Sequence, residues 1–401
     1  MPGRSFPGMT RLAAAAVFAA SAPIAAAQPT TRICEHSGTD AKGSNHVLVN
    51  DHDRSWSVSW STRDCSIDMR SRGRIAFKRD LSDIESIDRG GYFEVRHRED
   101  DVTRRYEVNA TRAGLERQYF VDGRERPVDA EARAWLAAVI LELERRSGFA
   151  AESRVMDLLR RGGVDAVLDE VERMGESGIQ RRYLLIVVDS ARVDDGQLRR
   201  MLRLASRRID SDHELASFLI ALDKRGYLKR ETTSEFVAAT ATIGSDHDRR
   251  RALMAVLGLE KLPENTVIEV LEYAGRIRSD HDRTELLLAV VKRHSIPGRG
   301  ARQAYLDAAR EIDSDHDQRR ALARLVEEPL TAAEVGAVLE VAKRIDSDHD
   351  LATLLEQVAS VHRIDNGLRD KYLAAVDTIS SDHDRRRALS ALLRSSRRAS
   401  M

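Results

Sequence analysis

The tetrapeptide Ser245-Asp246-His247-Asp248 recurs along the chain and decides its architecture. Ser-Asp-His followed by an acidic residue occupies 211–214, 245–248, 279–282, 314–317, 347–350 and 381–384. Successive copies begin 34, 34, 35, 33 and 34 residues apart. Repetition at such a period is typical of a solenoid, in which neighbouring units bury one another's apolar faces.

Each copy has the pattern of a helix start. The serine is a predicted N-cap, and the acid three residues later completes a capping box by reaching back to the N–H of the serine. A leucine stands eight residues after every serine and a leucine or valine eleven residues after it, which predicts one apolar stripe on the helix. The predicted caps are Ser211, Ser245, Ser279, Ser314, Ser347 and Ser381.

The predicted fold is therefore α+β with two domains. Residues 129–395 are expected to form an α-solenoid of about eight αα-hairpin repeats with a period of about 34 residues, similar to HEAT or TPR arrays. Residues 28–128 are expected to form a small antiparallel β-meander, because runs such as 56–60 (Trp-Ser-Val-Ser-Trp) alternate with a period of two. Residues 396–401 are predicted to be a disordered tail.

The first 27 residues have the pattern of a secretory signal peptide. Arg4 and Arg11 precede or open an apolar run, and three alanines end at Ala27, directly before Gln28. We therefore predict cleavage after Ala27 and a periplasmic or secreted protein that does not span the membrane.

Two pairs of residues stand out in the predicted β-domain. Cys34 and Cys65 are expected to form a disulfide in an oxidising compartment. A redox or metal pair is the alternative, but the sequence offers neither a C-x-x-C spacing nor a nearby set of ligands. Trp56 and Trp60 fall on one face of a strand, either as sheet core or as a platform on which a sugar or peptide ligand stacks.

Neither capping nor the helix dipole explains the histidine of the motif, because a cation near a helix N-terminus is slightly disfavoured. The first interpretation is a structural brace, in which each imidazole binds a carboxylate or carbonyl of the adjacent repeat. A ladder of His/Asp sites for a divalent metal such as zinc is a second hypothesis, and a response to pH is a third. The residues concerned are His213, His247, His281, His316, His349 and His383.

Composition and motifs narrow the function classes. Lys+Arg and Asp+Glu both number 65, so the net charge is zero, which disfavours a nucleic-acid partner. The sequence contains neither a G-x-S-x-G motif nor a Gly-rich phosphate loop. We therefore predict no enzymatic activity and no cofactor.

The chain resembles a group of exported bacterial proteins of this architecture, and also the extracytoplasmic part of some membrane sensors of the BlaR1 type. The likeness covers roughly residues 65–395 and rests on Arg133-Ala134-Trp135-Leu136, on 161–163 (Arg-Gly-Gly) and on the repeated Ile-x-Ser-Asp-His-Asp. The zinc-peptidase signature H-E-x-x-H of those sensors is missing, because Ser217 stands where the second histidine should follow His213-Glu214. The resemblance therefore implies an exported solenoid without peptidase activity.

Taken together, the sequence predicts an exported, non-enzymatic interaction module whose solenoid binds a protein or peptide partner in the cell envelope. The alternative is an extracytoplasmic sensor of a ligand or metal that uses the β-domain or the repeated His/Asp motif.

Overall fold

The computed structural model describes residues 33–34, 44–50, 55–294, 296 and 298–398. The predicted signal peptide, residues 1–27, lies outside the described residues. The chain forms two compact units, one made mainly of residues 62–141 and the other mainly of residues from 142 onward. The predicted α+β architecture, an antiparallel β-unit followed by helical hairpins, is confirmed. In the described part of the chain, none of the helices combines the length and the apolar character that a membrane span requires.

The strands form one seven-stranded sheet, in the order β1-β2-β3-β6-β7-β8-β9, and one two-stranded sheet of β4 and β5. Neighbouring strands are antiparallel in the pairs β3–β6, β6–β7, β7–β8 and β8–β9 of the large sheet and in the pair β4–β5 of the small sheet. The strands are β1 (Ser44–Asn50), β2 (Ser55–Ser61), β3 (Cys65–Arg72), β4 (Ile75–Phe77), β5 (Ile84–Ile87), β6 (Tyr92–Glu99), β7 (Val102–Thr111), β8 (Gly114–Val121) and β9 (Arg124–Arg126).

The alternation of apolar and polar residues selects the buried face of this sheet. In β6, Phe93, Val95 and His97 are buried while their neighbours are more exposed. Val95 lies opposite Met69 of β3 and opposite Tyr106 of β7, so buried side chains meet across three strands. Because side chains alternate between faces, His97 points to the same side as this core.

Within the described residues, fifteen α-helices follow the sheet. They are α1 (Ala130–Ser147), α2 (Ala151–Val171), α3 (Ser177–Ser190), α4 (Asp195–Arg208), α5 (Asp212–Lys224), α6 (Thr233–Thr240), α7 (Asp246–Val256), α8 (Glu264–Gly275), α9 (Asp280–Arg293), α10 (Arg299–Arg310), α11 (Asp315–Val326), α12 (Ala332–Ala342), α13 (Asp348–Val361), α14 (Asn366–Val376) and α15 (Asp382–Arg398). A single 3₁₀ turn, Arg230–Thr232, precedes α6.

The helices from α4 onward form two rows. The motif helices α5, α7, α9, α11, α13 and α15 begin with the repeated motif, and each packs on the next one in the row. The upstream helices α4, α6, α8, α10, α12 and α14 pack on one another in the same way. The stripe leucines of the first five motif helices are fully buried, whereas Leu389 of α15 is only partly buried.

The two ends of the helical array depart from the regular pattern. A kink at Gly162 and Gly163 divides α2 into two straight parts, and Gly163 adopts a φ of 67°, a conformation that glycine tolerates without steric cost. At the other end α15 continues to Arg398, so residues 396–398, which we predicted to be disordered, are helical.

Candidate functional site

The serines of the motif cap their helices. In all six copies the Ser Oγ accepts a hydrogen bond from the N–H of the acid three residues later, at 3.2 to 3.4 Å. This bond satisfies one of the N–H groups that a helix leaves without an internal partner at its first turn. The reciprocal bond of a capping box would run from the N–H of the serine to the side chain of that acid. In these helices the N–H of the serine has a different acceptor.

The N–H of each following cap donates to the first aspartate of the preceding motif. Ser314 N–H, for example, donates to Asp280 Oδ2 at 2.8 Å, and Ser279 N–H donates to Asp246 Oδ2 at 3.0 Å. The same arrangement occurs at all five junctions between motif helices. At four of them the carboxylate also accepts the N–H of the residue before the serine. The first aspartate therefore joins consecutive repeats.

In three of the six copies the side chain of the second acid pairs with an arginine of the preceding repeat, and in the other three it pairs with an arginine of its own helix. Arg250 Nε lies 2.6 Å from Asp282 Oδ1, and Arg319 Nε lies 2.7 Å from Asp350 Oδ1. Burial opposes ionisation of Asp350, but the hydrogen bonds from Ser347 and Arg319 outweigh it and lower the pKa of its carboxyl below the usual value. These ion pairs add a second connection between the repeats.

The histidine is the one motif position that is exposed in every copy among the six. Where a contact is found, it involves Nδ1: Arg250 Nη2 lies 3.5 Å from His247 Nδ1, and Arg319 Nη2 lies 3.3 Å from His316 Nδ1. His349 Nδ1 lies 3.3 Å from Arg387 Nη1 of the next motif helix, and His213 Nδ1 lies 3.9 Å from Asp248 of the next motif. Within the described chain, His281 has neither a hydrogen bond nor an ion pair.

His213 and His349 contact the adjacent repeat, as the expected brace requires, whereas His247 and His316 contact an arginine of their own helix. The bonds that recur at all five junctions do not come from the histidine. The aspartate beside the histidine makes those bonds, because a carboxylate at the first helical position can reach two successive N–H groups of the next cap. Two histidines outside the motif do brace neighbouring repeats. His294 Nε2 donates to Leu257 O at 3.1 Å, and His362 Nε2 donates to Val326 O at 2.7 Å.

The arginine contacts also bear on the hypothesis of a metal ladder. Because an arginine can only donate, the Nδ1 atoms of His247, His316 and His349 act as acceptors in these contacts, which leaves the ring N–H at Nε2. That nitrogen then has no free lone pair for a metal ion. These three rings present N–H donors to the solvent instead.

In the β-rich part of the chain, the two tryptophans have different environments. Trp60 is 1% exposed, and the guanidinium of Arg146 lies 3.6 Å from the centre of its ring. Its ring therefore has no face open to a stacking ligand, in keeping with the first interpretation, a core residue. Trp56 is partly exposed.

The two cysteines are joined. Cys34 and Cys65 form a disulfide with a Cα–Cα distance of 5.5 Å. The structure adds a neighbour that the sequence did not reveal, because His97 Nε2 lies 3.5 Å from Cys65 Sγ and 3.9 Å from Cys34 Sγ. Burial, helped by the charge of Arg104, lowers the pKa of this imidazole to about 4. Trp135 Nε1–H donates to its Nδ1 at 3.2 Å.

Comparison with models of protein families, with curated proteins and with solved structures finds no match to this chain.

Proposed function

We propose that this chain is an exported, non-enzymatic interaction module, and that its solenoid binds an extended stretch of a protein or peptide partner along the motif histidines. One observation carries the proposal. The serine caps its helix in all six copies and the first aspartate bonds the next cap at all five junctions, whereas the histidine is exposed in each of the six copies and makes no contact that recurs in all of them.

The geometry favours an elongated partner. Neighbouring packed helices lie about 8–10 Å apart, so the row offers one imidazole at each such step. An extended chain advances about 3.3 Å per residue, and every third residue of a bound peptide would therefore meet a new repeat. Weak contacts repeated along the row together give stronger binding, because each contact keeps the next part of the peptide at a high effective concentration near its repeat.

The hydrogen bonds of three motif histidines indicate which hydrogen-bonding groups the partner should supply. Rings that accept from arginine at Nδ1 present Nε2–H outward, so the partner should supply acceptors such as backbone carbonyls. Exposed acids before the caps, Asp210, Asp313 and Asp346, make a strongly acidic segment a poor fit. A neutral or basic extended segment suits both features.

The proposal is tested with a photoreactive residue placed in the exported protein. At position 281 it should give a discrete cross-linked species in the intact cell envelope, whereas at the exposed position 272 on an upstream helix it should not. Replacing the other five motif histidines by alanine should abolish that species. A matched variant changes one exposed residue on each upstream helix to alanine and should keep it: Arg203, Ser234, Glu272, Gln303, Glu340 and Lys371.

The thermal midpoint of each variant shows whether the solenoid stays intact. Exposed substitutions of this kind usually change stability by no more than about 0.5 kcal/mol. Equal cross-linking at 281 and 272, or an undiminished species in the histidine variant, would refute the binding row.

A further inference from the structure

The disulfide of the β-unit lies in a cluster of four side chains with metal-binding atoms. His97 Nε2 is 3.5 Å from Cys65 Sγ, 3.9 Å from Cys34 Sγ and 3.6 Å from Glu99 Oε2. The two cysteines and the histidine are at most 3% exposed, and their donor atoms all lie within 4.8 Å of one another. No other group of three His, Cys, Asp or Glu donors this close is found among the described residues.

These separations match a tetrahedral zinc site. Zinc binds sulfur at about 2.3 Å and nitrogen or oxygen at about 2.0–2.2 Å, so neighbouring ligand atoms in a tetrahedron lie about 3.3–3.8 Å apart. The three distances from His97 Nε2 fall within or close to that range. Two thiolates, one imidazole and one carboxylate are also a donor set that zinc accepts.

The sheet holds three of the four residues in fixed positions. Cys65 lies directly opposite Glu99 in the pairing of β3 with β6, and Ile67 lies opposite His97. Because His97 and Glu99 are two residues apart on one strand, their side chains leave the same face of the sheet as Cys65. For the four donors to surround an ion, the two sulfur atoms would have to separate and the Glu99 carboxylate, which is not among the donors within 4.8 Å of one another, would have to turn toward them.

We propose that reduction of the Cys34–Cys65 disulfide converts this cluster into a site for one zinc ion, bound by Cys34, Cys65, His97 and Glu99. A dithiol of the envelope supplies the two electrons and two protons that turn the disulfide into two thiols, and is itself oxidised to a disulfide. Binding of Zn²⁺ then releases the two thiol protons to solvent. The site is independent of the partner proposed for the solenoid.

The indole of Trp135 determines which nitrogen of the His97 imidazole carries the ring proton. Its N–H donates to His97 Nδ1, which in the disulfide form places the ring proton on Nε2, toward the sulfur atoms. Zinc at Nε2 requires that proton to move to Nδ1, so the bond from the indole is lost. One neutral hydrogen bond is a small loss beside the coordination of zinc by two thiolates. Trp135 therefore weakens zinc binding and favours the disulfide form.

Cobalt(II) gives a direct test, because thiolate coordination produces charge-transfer absorption that histidine and carboxylate ligands do not. The reduced full chain should bind one Co²⁺ with this absorption, and zinc should displace it. The disulfide form and the double variant Cys34→Ser/Cys65→Ser should show none, which also separates this site from any binding to the motif histidines. Reduced protein without the thiolate absorption would overturn the proposal.

Three further variants examine the other residues by competition with a chelator. His97→Ala and Glu99→Gln should each weaken zinc binding at least tenfold, whereas Trp135→Phe should strengthen it because Nδ1 can then carry the proton. Unchanged affinity in His97→Ala would show that the thiolates act alone and would refute the site. If the reduced chain loses its β-structure, zinc must restore it, and failure to do so also refutes the proposal.

Discussion

Replacing Asp280 by alanine removes the acceptor that joins the repeat of α9 to the repeat of α11. Asp280 Oδ2 accepts Ser314 N–H at 2.8 Å and Asp313 N–H at 3.2 Å. A hydrogen bond to a charged group contributes about 1.5–3 kcal/mol. Water can replace the bond to the exposed Asp313, so we take about 1.5 kcal/mol for Ser314 and about 0.5 kcal/mol for Asp313. The expected loss is about 2 kcal/mol.

Urea unfolding followed by circular dichroism measures this loss, and the thermal midpoint should fall by about 4 °C. The matched control is Asp382→Ala, the same motif position in the last copy, where this chain has no following cap to bind. That variant should lose only the interaction of the carboxylate with the helix dipole, about 0.5 kcal/mol. The comparison isolates the junction bonds from the effect of an acid at a helix start.

The neighbouring substitution His281→Ala should change the free energy of unfolding by no more than about 0.5 kcal/mol, because the imidazole is exposed. If His281→Ala lowers the free energy of unfolding as much as Asp280→Ala does, the imidazole braces the neighbouring repeats. If Asp382→Ala costs as much as Asp280→Ala, the bonds across the junction contribute nothing measurable.

Two more outcomes are expected. Between pH 6.5 and about 4 the unfolded chain binds a proton at His97 that the folded chain does not, so the free energy of unfolding should decrease as the pH falls through this window, by up to about 3 kcal/mol. His97→Gln should remove that part of the pH dependence in urea unfolding, and identical pH profiles would contradict it. Ending the chain after Glu328 leaves a motif helix last, as in the full chain, whereas ending it after Lys343 leaves α12 without α13 and exposes Val338 and Leu339. The longer fragment should therefore aggregate more on gel filtration, and equal solubility would show that the repeat boundary lies elsewhere.

The local pattern of the sequence was sufficient to predict the helices and their caps. A serine with an acid three residues later, followed by leucines at helical spacing, describes contacts within one turn or one face of a helix. The local pattern could not predict the hydrogen-bond partner of each carboxylate. The sequence pattern assigned Asp248 to the capping box of Ser245, and only the stagger of neighbouring repeats decides that Asp246 accepts the N–H of the next cap, Ser279.

The cluster around His97 was hidden for a similar reason. Cys34, Cys65, His97 and Trp135 are spread over about a hundred residues, and no short spacing connects them. Their meeting depends on the register of β3 against β6, which places His97 opposite Ile67. A shift of one residue in that register would have turned the imidazole to the other face of the sheet.

The junctions between repeats have a consequence for how such a chain can be rearranged. At each, one carboxylate accepts from backbone N–H groups, which every residue except proline provides. The residue before the cap is correspondingly different from copy to copy, including Gly244, Arg278 and Ser380. Whole units are thus interchangeable at their boundaries: a copy could be duplicated, deleted or moved, and the two new neighbours would still meet through the same donors and the same acceptor.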